Sequence, residues 1–316
     1  MKKGIVVVDL FCGAGGLSTG FKKAGFNIAL GIDNDKDALE TFKLNHPESK
    51  TLYRNISEIT KKEIKKEVRN SKIDVIIGGP PCQGFSMAGR RDPRDSRNTM
   101  IEKYLNLVSE LNPKLFVIEN VKGLLSMKTK GGEAVIDNII NLSIEKGYFI
   151  TIYPLNAADF GVPQNRNRVF LIGCKKKDFK ISPIKQRKIP VGKILLEKEN
   201  VPEKYFYSKR LIGGFKRREK RNKKMKRGFG WQFLDPEEPS YTISARYYKD
   251  GADALVRYSE KEIRMLTPEE CALIQSFPRN YKFASGKIKT YQQIGNAVPP
   301  KLAFAVAKSI KRALIV

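Results

Sequence analysis

Short apolar runs alternate with longer amphipathic stretches from residue 4 to about residue 174, and this alternation limits the fold more than any other feature of the chain. Runs that are apolar at every position are typical of strands buried on both faces, which occur in parallel sheets covered by helices. Between the runs, apolar residues recur at the spacings of helices packed on a sheet. The pattern predicts an α/β fold with a mostly parallel sheet. The predicted strands are 5–10, 28–32, 75–77, 115–118, 149–153 and 169–172, and the predicted helices are 38–44, 100–111 and 134–145.

After residue 174 the composition becomes strongly basic. The chain of 316 residues has 60 Lys plus Arg against 33 Asp plus Glu, a net charge of +27. This charge predicts a polyanionic partner, more often nucleic acid than an anionic membrane. Residues 175–235 hold 21 basic and 6 acidic residues, and 209–227 hold 11 and one. Such a run is also typical of a solvated surface or a disordered linker. Beyond it we predict strands at 241–244 and 254–258 and helices at 267–276 and 302–314, the last packing on the first domain.

No part of the sequence predicts a membrane protein. The longest apolar run, at 302–307, has six residues, far short of the roughly 20 needed to cross a bilayer. We expect no signal peptide after Lys2 and Lys3, because Asp9 interrupts the apolar stretch. We therefore expect a cytoplasmic protein with no membrane partner.

The cysteines and the single histidine exclude several kinds of site. The four cysteines, at positions 12, 82, 174 and 271, lack the spacing of disulfide frameworks and of zinc sites. The one histidine, His46, lies beside a proline in a polar stretch, which disfavours Ser-His-Asp and Cys-His hydrolases.

A glycine-rich turn, FCGAGGL at 11–17, joins the first predicted strand to a helical stretch. This layout lets a ligand approach backbone amides closely. Asp33 lies twenty residues after Gly13, at the end of the second strand, where a carboxylate can accept hydrogen bonds from ribose hydroxyls. The turn predicts a nucleoside-containing cofactor. Nicotinamide dinucleotide and S-adenosylmethionine both remain open at this point, as does a purely structural turn.

Cys82 lies in GGPPCQGFS at 78–86, directly after the strand at 75–77. Two prolines restrict the backbone before it, so we expect a rigid, accessible loop at the carboxyl edge of the sheet, where ligands bind in open α/β folds. A lone cysteine is otherwise more often a small buried hydrophobe. Glu119 ends the strand at 115–118 at the same edge, and an acid there needs hydrogen bonds or acts as a proton donor with a raised pKa.

Six ordered motifs make the chain resemble the DNA (cytosine-5) methyltransferases of bacterial and archaeal restriction–modification systems. The motifs are DLFCGAGGLSTGF (9–21), GGPPCQGFS (78–86), ENVKGL (119–124), QNRNRVFLIG (164–173), RMLTPEECALIQSFP (264–278) and IGNAVPP (294–300). The resemblance implies a Rossmann-like catalytic domain at 1–178 plus 287–316 that binds S-adenosyl-L-methionine (SAM). It also implies a smaller basic target-recognition domain at 179–286.

The resemblance implies a reaction as well. The enzyme would transfer the methyl group of SAM to carbon 5 of a cytosine in a specific sequence of double-stranded DNA, leaving S-adenosyl-L-homocysteine and using no metal. It would be a cytoplasmic, nucleoid-associated monomer whose cognate restriction endonuclease acts on the same site without direct contact. Because a cytosine inside a duplex is inaccessible to a thiol, the base would be flipped out.

The catalytic roles follow from the same resemblance. Cys82 would add to carbon 6 of cytosine, which makes carbon 5 nucleophilic. Glu119 would contact ring nitrogen 3 and the exocyclic amine, and Arg168 the ring oxygen, with Arg166 nearer the phosphates.

The matching cofactor positions surround the glycine turn. Asn55 stands where the family usually has Asp near the adenine amine, and since its side-chain oxygen can accept the same hydrogen bond, we expect at most weaker SAM binding. The positions are Phe11, Gly13, Gly15, Leu17, Asp33, Asn34, Asn55, Ile56, Pro81, Met100, Asn296 and Ala297.

Residues 86–97 resemble the family's mobile loop that closes over DNA, although an ordinary solvated loop is the alternative. The DNA contacts expected there are Ser86, Arg90, Arg91, Arg94 and Arg97, and those expected to read bases are Arg246, Tyr247 and Tyr248.

The sequence supports three other functions less well. A nicotinamide dehydrogenase explains the glycines and Asp33 but neither GGPPCQGFS nor the basic region. A tRNA cytosine-5 methyltransferase shares the catalytic motifs, and basic charge does not distinguish RNA from DNA. A catalytically inactive DNA-binding homologue is disfavoured because Cys82, Glu119, Arg166 and Arg168 are all present.

Overall fold

The computed structural model describes residues 4–81, 99–129, 132–225, 231–249 and 251–315. A seven-stranded sheet in the order β3-β2-β1-β4-β5-β7-β6 forms the centre of this part of the chain. The first five strands in that order are parallel, and β7 runs antiparallel between β5 and β6. The predicted α/β class is therefore confirmed. The strands are β1 (Val6–Leu10), β2 (Asn27–Asp33), β3 (Lys50–Tyr53), β4 (Val75–Gly78), β5 (Leu115–Val121), β6 (Phe149–Asn156) and β7 (Asn167–Cys174).

Nine α-helices accompany the sheet in the described residues. The bounds are α1 (Gly16–Lys23), α2 (Lys36–Asn45), α3 (Lys61–Glu67), α4 (Thr99–Leu111), α5 (Val135–Glu145), α6 (Lys209–Lys224), α7 (Pro268–Ile274), α8 (Lys287–Asn296) and α9 (Pro300–Ile315). No helix in these ranges is long and apolar enough to cross a membrane.

The sheet is buried on both faces because helices cover each face, and successive strand residues point to opposite faces. Val7 belongs to the core under α1 and α9, whereas Val8 belongs to the core under α3, α4 and α5. Helix α9 packs on α1 so closely that a Cβ on Gly20 would lie 2.4 Å from the Ala303 side chain. The predicted return of the C-terminal helix to the first domain is confirmed.

A third core forms from residues between 191 and 297 and includes the antiparallel pair β8 (Leu255–Arg257) and β9 (Ile263–Met265). Inside it, Arg264 and Glu270 form an ion pair with both side chains 0% exposed, through bonds of 2.8 and 2.9 Å. Thr267 and Leu196 donate further backbone N–H bonds to the same carboxylate, which a charge so buried requires. The domain boundaries at 178 and 287 stay a prediction.

Two expectations for the basic half differ from the structure. Residues 241–244 do not form a strand, because Ile243 bonds to side chains rather than to a neighbouring strand. The basic run forms helix α6, which buries Ile212 and Phe215, so its described part is not a disordered linker. The helix predicted at 267–276 is confirmed as α7, capped by Thr267.

Candidate active site

The glycine turn follows β1 and adopts a conformation that few other sequences allow. Gly13 and Gly15 have φ of 51° and 87°, a left-handed region that side chains disfavour. A Cβ on Gly16 would lie 2.3 Å from the carbonyl oxygen of Val298, so only glycine permits the turn to approach the segment after α8. The sequence thereby forms one wall of a cleft from two distant segments.

Asp33, at the end of β2, holds this turn in place. Its Oδ2 accepts the Gly13 N–H at 2.7 Å and its Oδ1 accepts the Asp35 N–H at 2.8 Å. Burial raises the pKa of Asp33, and these amide bonds oppose the rise. The carboxylate both fixes the turn and lines the cleft.

The cleft is a cavity of about 380 Å³ at the carboxyl edge of the parallel strands, within the size range of small-ligand sites. Ten residues singled out from the sequence line it: Phe11, Gly13, Leu17, Asp33, Pro81, Glu119, Arg166, Arg168, Asn296 and Ala297. It thus brings the glycine turn and the expected catalytic side chains into one space.

Five expected cofactor residues do not line this cavity. Gly15 faces His46 and Tyr281 behind the turn, and Ile56 lies in the core under α3. The Asn55 Oδ1 accepts the Ser57 N–H at 3.1 Å. The other two are exposed Asn34 and half-buried Met100.

Glu119 and Arg168 form an ion pair in the cavity wall, with 2.9 Å between Nε and Oε1. Burial raises the pKa of Glu119, and the positive charges of Arg168 and Arg166 oppose the rise. The carboxyl group consequently keeps a proton at higher pH than an exposed glutamate, while an arginine fixes its orientation.

Asn120 is a site residue that the sequence reasoning missed. Its Nδ2 donates to the Pro80 carbonyl at 3.0 Å, and its Oδ1 accepts the Val121 N–H at 2.8 Å. It therefore holds the two prolines that lead to position 82. Its place directly after Glu119 at the end of a buried strand was the available signal.

Several expected residues lie outside the described part of the chain, and they share one stretch between Pro81 and α4. They are Cys82, Ser86, Arg90, Arg91, Arg94 and Arg97.

Arg166 is buried, and its expected place near the phosphates stays a prediction. It is 1% exposed and donates to the carbonyls of Ile243 at 3.0 Å, Gly295 at 2.6 Å and Ala297 at 3.1 Å. A guanidinium enclosed by three backbone carbonyls is a structural clamp. It ties β7 to the residues around 243 and to the segment after α8.

Two glutamines that the sequence reasoning missed extend this clamp. The Gln164 Oε1 accepts the Ile243 N–H at 3.0 Å, and its Nε2 donates to Gln275 Oε1 at 2.6 Å. Gln275 in turn donates to the Ala297 carbonyl at 2.6 Å. Side chains therefore satisfy both backbone groups of Ile243.

The expected base readers differ in exposure. Tyr247 is 1% exposed, and its hydroxyl donates to the Ala254 carbonyl and accepts the Leu266 N–H. The prediction that it reads bases is wrong, because its polar atom is already paired inside the third core. Arg246 is exposed and Tyr248 half-buried, and their roles stay predictions.

Comparisons with known proteins agree with one another. A family model described as C-5 cytosine-specific DNA methylase matches residues 5–312. The chain is 36% identical to the Type II methyltransferase M.FnuDI of Fusobacterium nucleatum, over 98% of this chain and 94% of that protein. It is 34% identical to the Type II methyltransferase M1.ScrFI of Lactococcus lactis subsp. cremoris, over 98% and 78%. The crystal structure of a protein described as a DNA modification methyltransferase encoded within an E. coli prophage superposes with a TM-score of 0.77 at 26% identity, covering 99% of this chain and 100% of that one.

The clamp predicts that Arg166→Lys lowers the free energy of unfolding by about 3 kcal/mol, because an ammonium cannot reproduce the planar fork and leaves buried carbonyls unpaired. Urea unfolding measures the change. The matched control is Arg54→Lys, since Arg54 forms an exposed ion pair with Glu63 and should change stability by less than about 0.5 kcal/mol. Equal effects of the two substitutions would contradict the clamp.

Proposed function

Because this chain belongs to the C-5 cytosine-specific DNA methylase family, we propose that it methylates carbon 5 of a cytosine flipped out of duplex DNA, with SAM as methyl donor and a covalent adduct on Cys82. The chain is a DNA cytosine-5 methyltransferase of the restriction–modification type. The family excludes the nicotinamide dehydrogenase, and the Type II relatives favour DNA over tRNA.

The single observation that carries this proposal is the shared cavity. The glycine turn and the Glu119–Arg168 pair line the same space of about 380 Å³, and Pro81, which precedes Cys82, lies in its wall. A bisubstrate reaction needs its two reactants held side by side. A cavity with a cofactor turn on one wall and ring-binding groups on another meets that requirement.

The cavity residues fit SAM. The Gln293 Oε1 is buried in the wall and has no hydrogen-bond partner among the described residues. A buried acceptor of this kind is costly unless a ligand donates to it, and SAM carries hydroxyl and amino donors. Asp33 and Gln293 would accept those bonds, and Gly13 and Leu17 would pack against the ligand. When bound, SAM supplies an electrophilic methyl group.

Cys82 would attack carbon 6 of the cytosine as a thiolate, which places electron density on carbon 5. The three described cysteines do not compete for this role, since burial raises the pKa of each thiol. After methylation, loss of the carbon 5 proton and release of the thiol would complete the reaction.

Glu119 and Arg168 would hold the pyrimidine ring while charge develops on it. A glutamate with a raised pKa can donate a proton toward ring nitrogen 3, and the Arg168 guanidinium can bind the ring oxygen. Both groups are fixed before the base arrives, so no reorganisation is needed at the moment of reaction. The metal-free mechanism, the monomeric state, the cognate endonuclease and the nucleoid location stay predictions of the resemblance.

Helix α6 offers DNA a nearly continuous basic surface. Ile212 and Phe215 face the third core, and Lys216 pairs with exposed Glu260 at 3.1 Å. Phosphate contacts carry most of the salt-dependent affinity for DNA. The exposed basic residues of α6 are Lys209, Arg210, Lys216, Arg217, Arg218, Lys220, Arg221 and Lys224.

We expect Cys82→Ser to lose methyl transfer while retaining DNA binding, because a hydroxyl is a far weaker nucleophile toward carbon 6. Incorporation of labelled methyl groups into duplex DNA, with tRNA as the comparison substrate, measures the effect. Cys174→Ser is the matched control and should remain active, since Cys174 is buried in β7. Turnover by the Cys82 variant would refute the proposed adduct.

Neutralising α6 should weaken DNA binding in a salt-dependent way. We expect the combined change of Arg217, Lys220, Arg221 and Lys224 to Gln to reduce the slope of log K against log salt by up to about 3.6, since each lost phosphate contact removes roughly 0.9.

The control for this charge change replaces four exposed lysines on and after α3 by Gln, none of which lines the cavity. Fluorescence anisotropy over a salt series compares the two variants. The same slope change in both would mean that total charge, and not α6, sets the affinity. The control positions are Lys61, Lys62, Lys66 and Lys72.

A further inference from the structure

The side of the glycine turn that faces away from the cavity rests on the end of α2 and on residues 281–284. Gly15 has no room for a side chain there, because a Cβ would lie 2.9 Å from both His46 Nε2 and the Tyr281 hydroxyl. Gly13, Ala14 and Gly16 line the cavity, whereas Gly15 does not. The turn therefore lies between the cavity and a polar cluster formed by distant parts of the chain.

His46 is enclosed within this cluster. It is 1% exposed and stacks on Phe42, with 4.5 Å between the ring centres. Thr19 donates its hydroxyl proton to the Gly15 carbonyl at 2.7 Å, and His46 Nε2 lies 3.2 Å from the same hydroxyl oxygen. Since that proton is already used, the neutral imidazole donates from Nε2. Burial and the charge of Lys22 lower the pKa of His46 to about 4, which keeps the ring neutral.

Tyr281 supports the neighbouring peptide from the other side. Its hydroxyl donates to the carbonyl of Ala14 across 267 positions of sequence. The residues after it are fixed to α2, because Asn45 accepts the Lys282 N–H at 3.0 Å and donates to the Lys282 carbonyl at 2.8 Å. The Ala284 N–H also donates to Thr41 Oγ1 at 3.0 Å. The chain directly after Tyr281 is thus fixed to α2, which limits how far the tyrosine can move.

Because the peptide group is planar, a bond to its carbonyl also fixes the direction of its N–H. A trans peptide directs its N–H opposite its carbonyl. When the carbonyls of Ala14 and Gly15 are held toward Tyr281 and Thr19, the turn keeps one orientation of its backbone toward the cavity. A turn with three glycines has little intrinsic stiffness, so Tyr281 and Thr19 add to the restraint that Asp33 and the backbone bonds of Gly15 already give.

We propose that Tyr281 and His46 are positioning residues that preorganise the glycine turn for the SAM-type ligand, an inference that rests on the proposed cofactor. They act through Ala14, Gly15 and Thr19 and do not touch the reacting atoms. Loss of the restraint should therefore affect ligand affinity and leave turnover at saturation unchanged.

The test compares two substitutions that remove the same atom. Tyr281→Phe deletes the hydroxyl that holds the turn, and Tyr148→Phe deletes a buried hydroxyl that donates to the Pro113 carbonyl at 2.8 Å, away from the turn. We expect Tyr281→Phe to weaken S-adenosylhomocysteine binding about five- to ten-fold in calorimetry without DNA. KM for SAM should rise similarly, with kcat and DNA affinity unchanged. Tyr148→Phe should leave the ligand affinity as in the unsubstituted protein.

The outcomes separate this inference from the proposed function. If the unsubstituted protein does not bind S-adenosylhomocysteine, the proposed cofactor and this inference both fail. If it binds and Tyr281→Phe binds equally well, or if both substitutions weaken binding equally, only this inference fails.

A second measurement uses the unsubstituted protein and so does not depend on the folding of a variant. His46 is the one histidine of the chain, so histidine-labelled protein gives a single imidazole signal in NMR. We expect the neutral form protonated at Nε2 both without and with saturating S-adenosylhomocysteine, because a preorganised turn keeps its geometry on binding. An imidazole protonated at Nδ1, or one that changes its tautomer when the ligand binds, would overturn the proposal.

Discussion

The buried guanidinium of Arg166 is the contact on which the geometry of the cavity depends. It bonds carbonyls that lie 77 and 129 positions away in sequence, at Ile243 and Gly295. Water cannot reach these carbonyls, so a side chain with several donors must satisfy them. The result is that the end of the sheet, the third core and the segment after α8 meet at one point, and the cavity opens beside it.

Burial gives the cavity its electrostatic character. Glu119 and Arg168 are held together away from solvent, where their interaction is stronger than at the surface. Burial raises the pKa of Glu119 against the opposing effect of two arginines, so a carboxyl group with a raised pKa lies beside a fixed positive charge. Asp33 is half-buried, and each of its carboxylate oxygens accepts a backbone N–H. Two carboxyl groups at the same edge of the sheet therefore have different chemistry because their partners differ.

The sequence predicted most of the sheet, and the exceptions have physical causes. The six predicted strands correspond to six of the seven observed, since each is mostly apolar. Strand β3 was missed because its residues, Lys50–Tyr53, are at most half-buried and form no apolar run. Residues 241–244 resembled a strand, but Gln164 and Arg166 satisfy the backbone of Ile243. Long-range side-chain contacts of this kind leave no periodic signal.

For the site residues too, long-range contacts could not be predicted from the sequence. The motifs placed the glycine turn, Glu119 and Arg168 correctly at one cavity. Tyr247 was wrongly expected to read bases because an aromatic residue among basic ones looks the same in sequence whether its ring faces solvent or the core.

A 5-fluorocytosine duplex tests most directly whether a sulfur atom of this chain bonds to the cytosine ring. Fluorine at carbon 5 blocks the release of the thiol. With SAM present, mass spectrometry should find DNA attached to the peptide that contains Cys82. Methylation of ordinary DNA without any such adduct, or an adduct on another residue, would contradict the account.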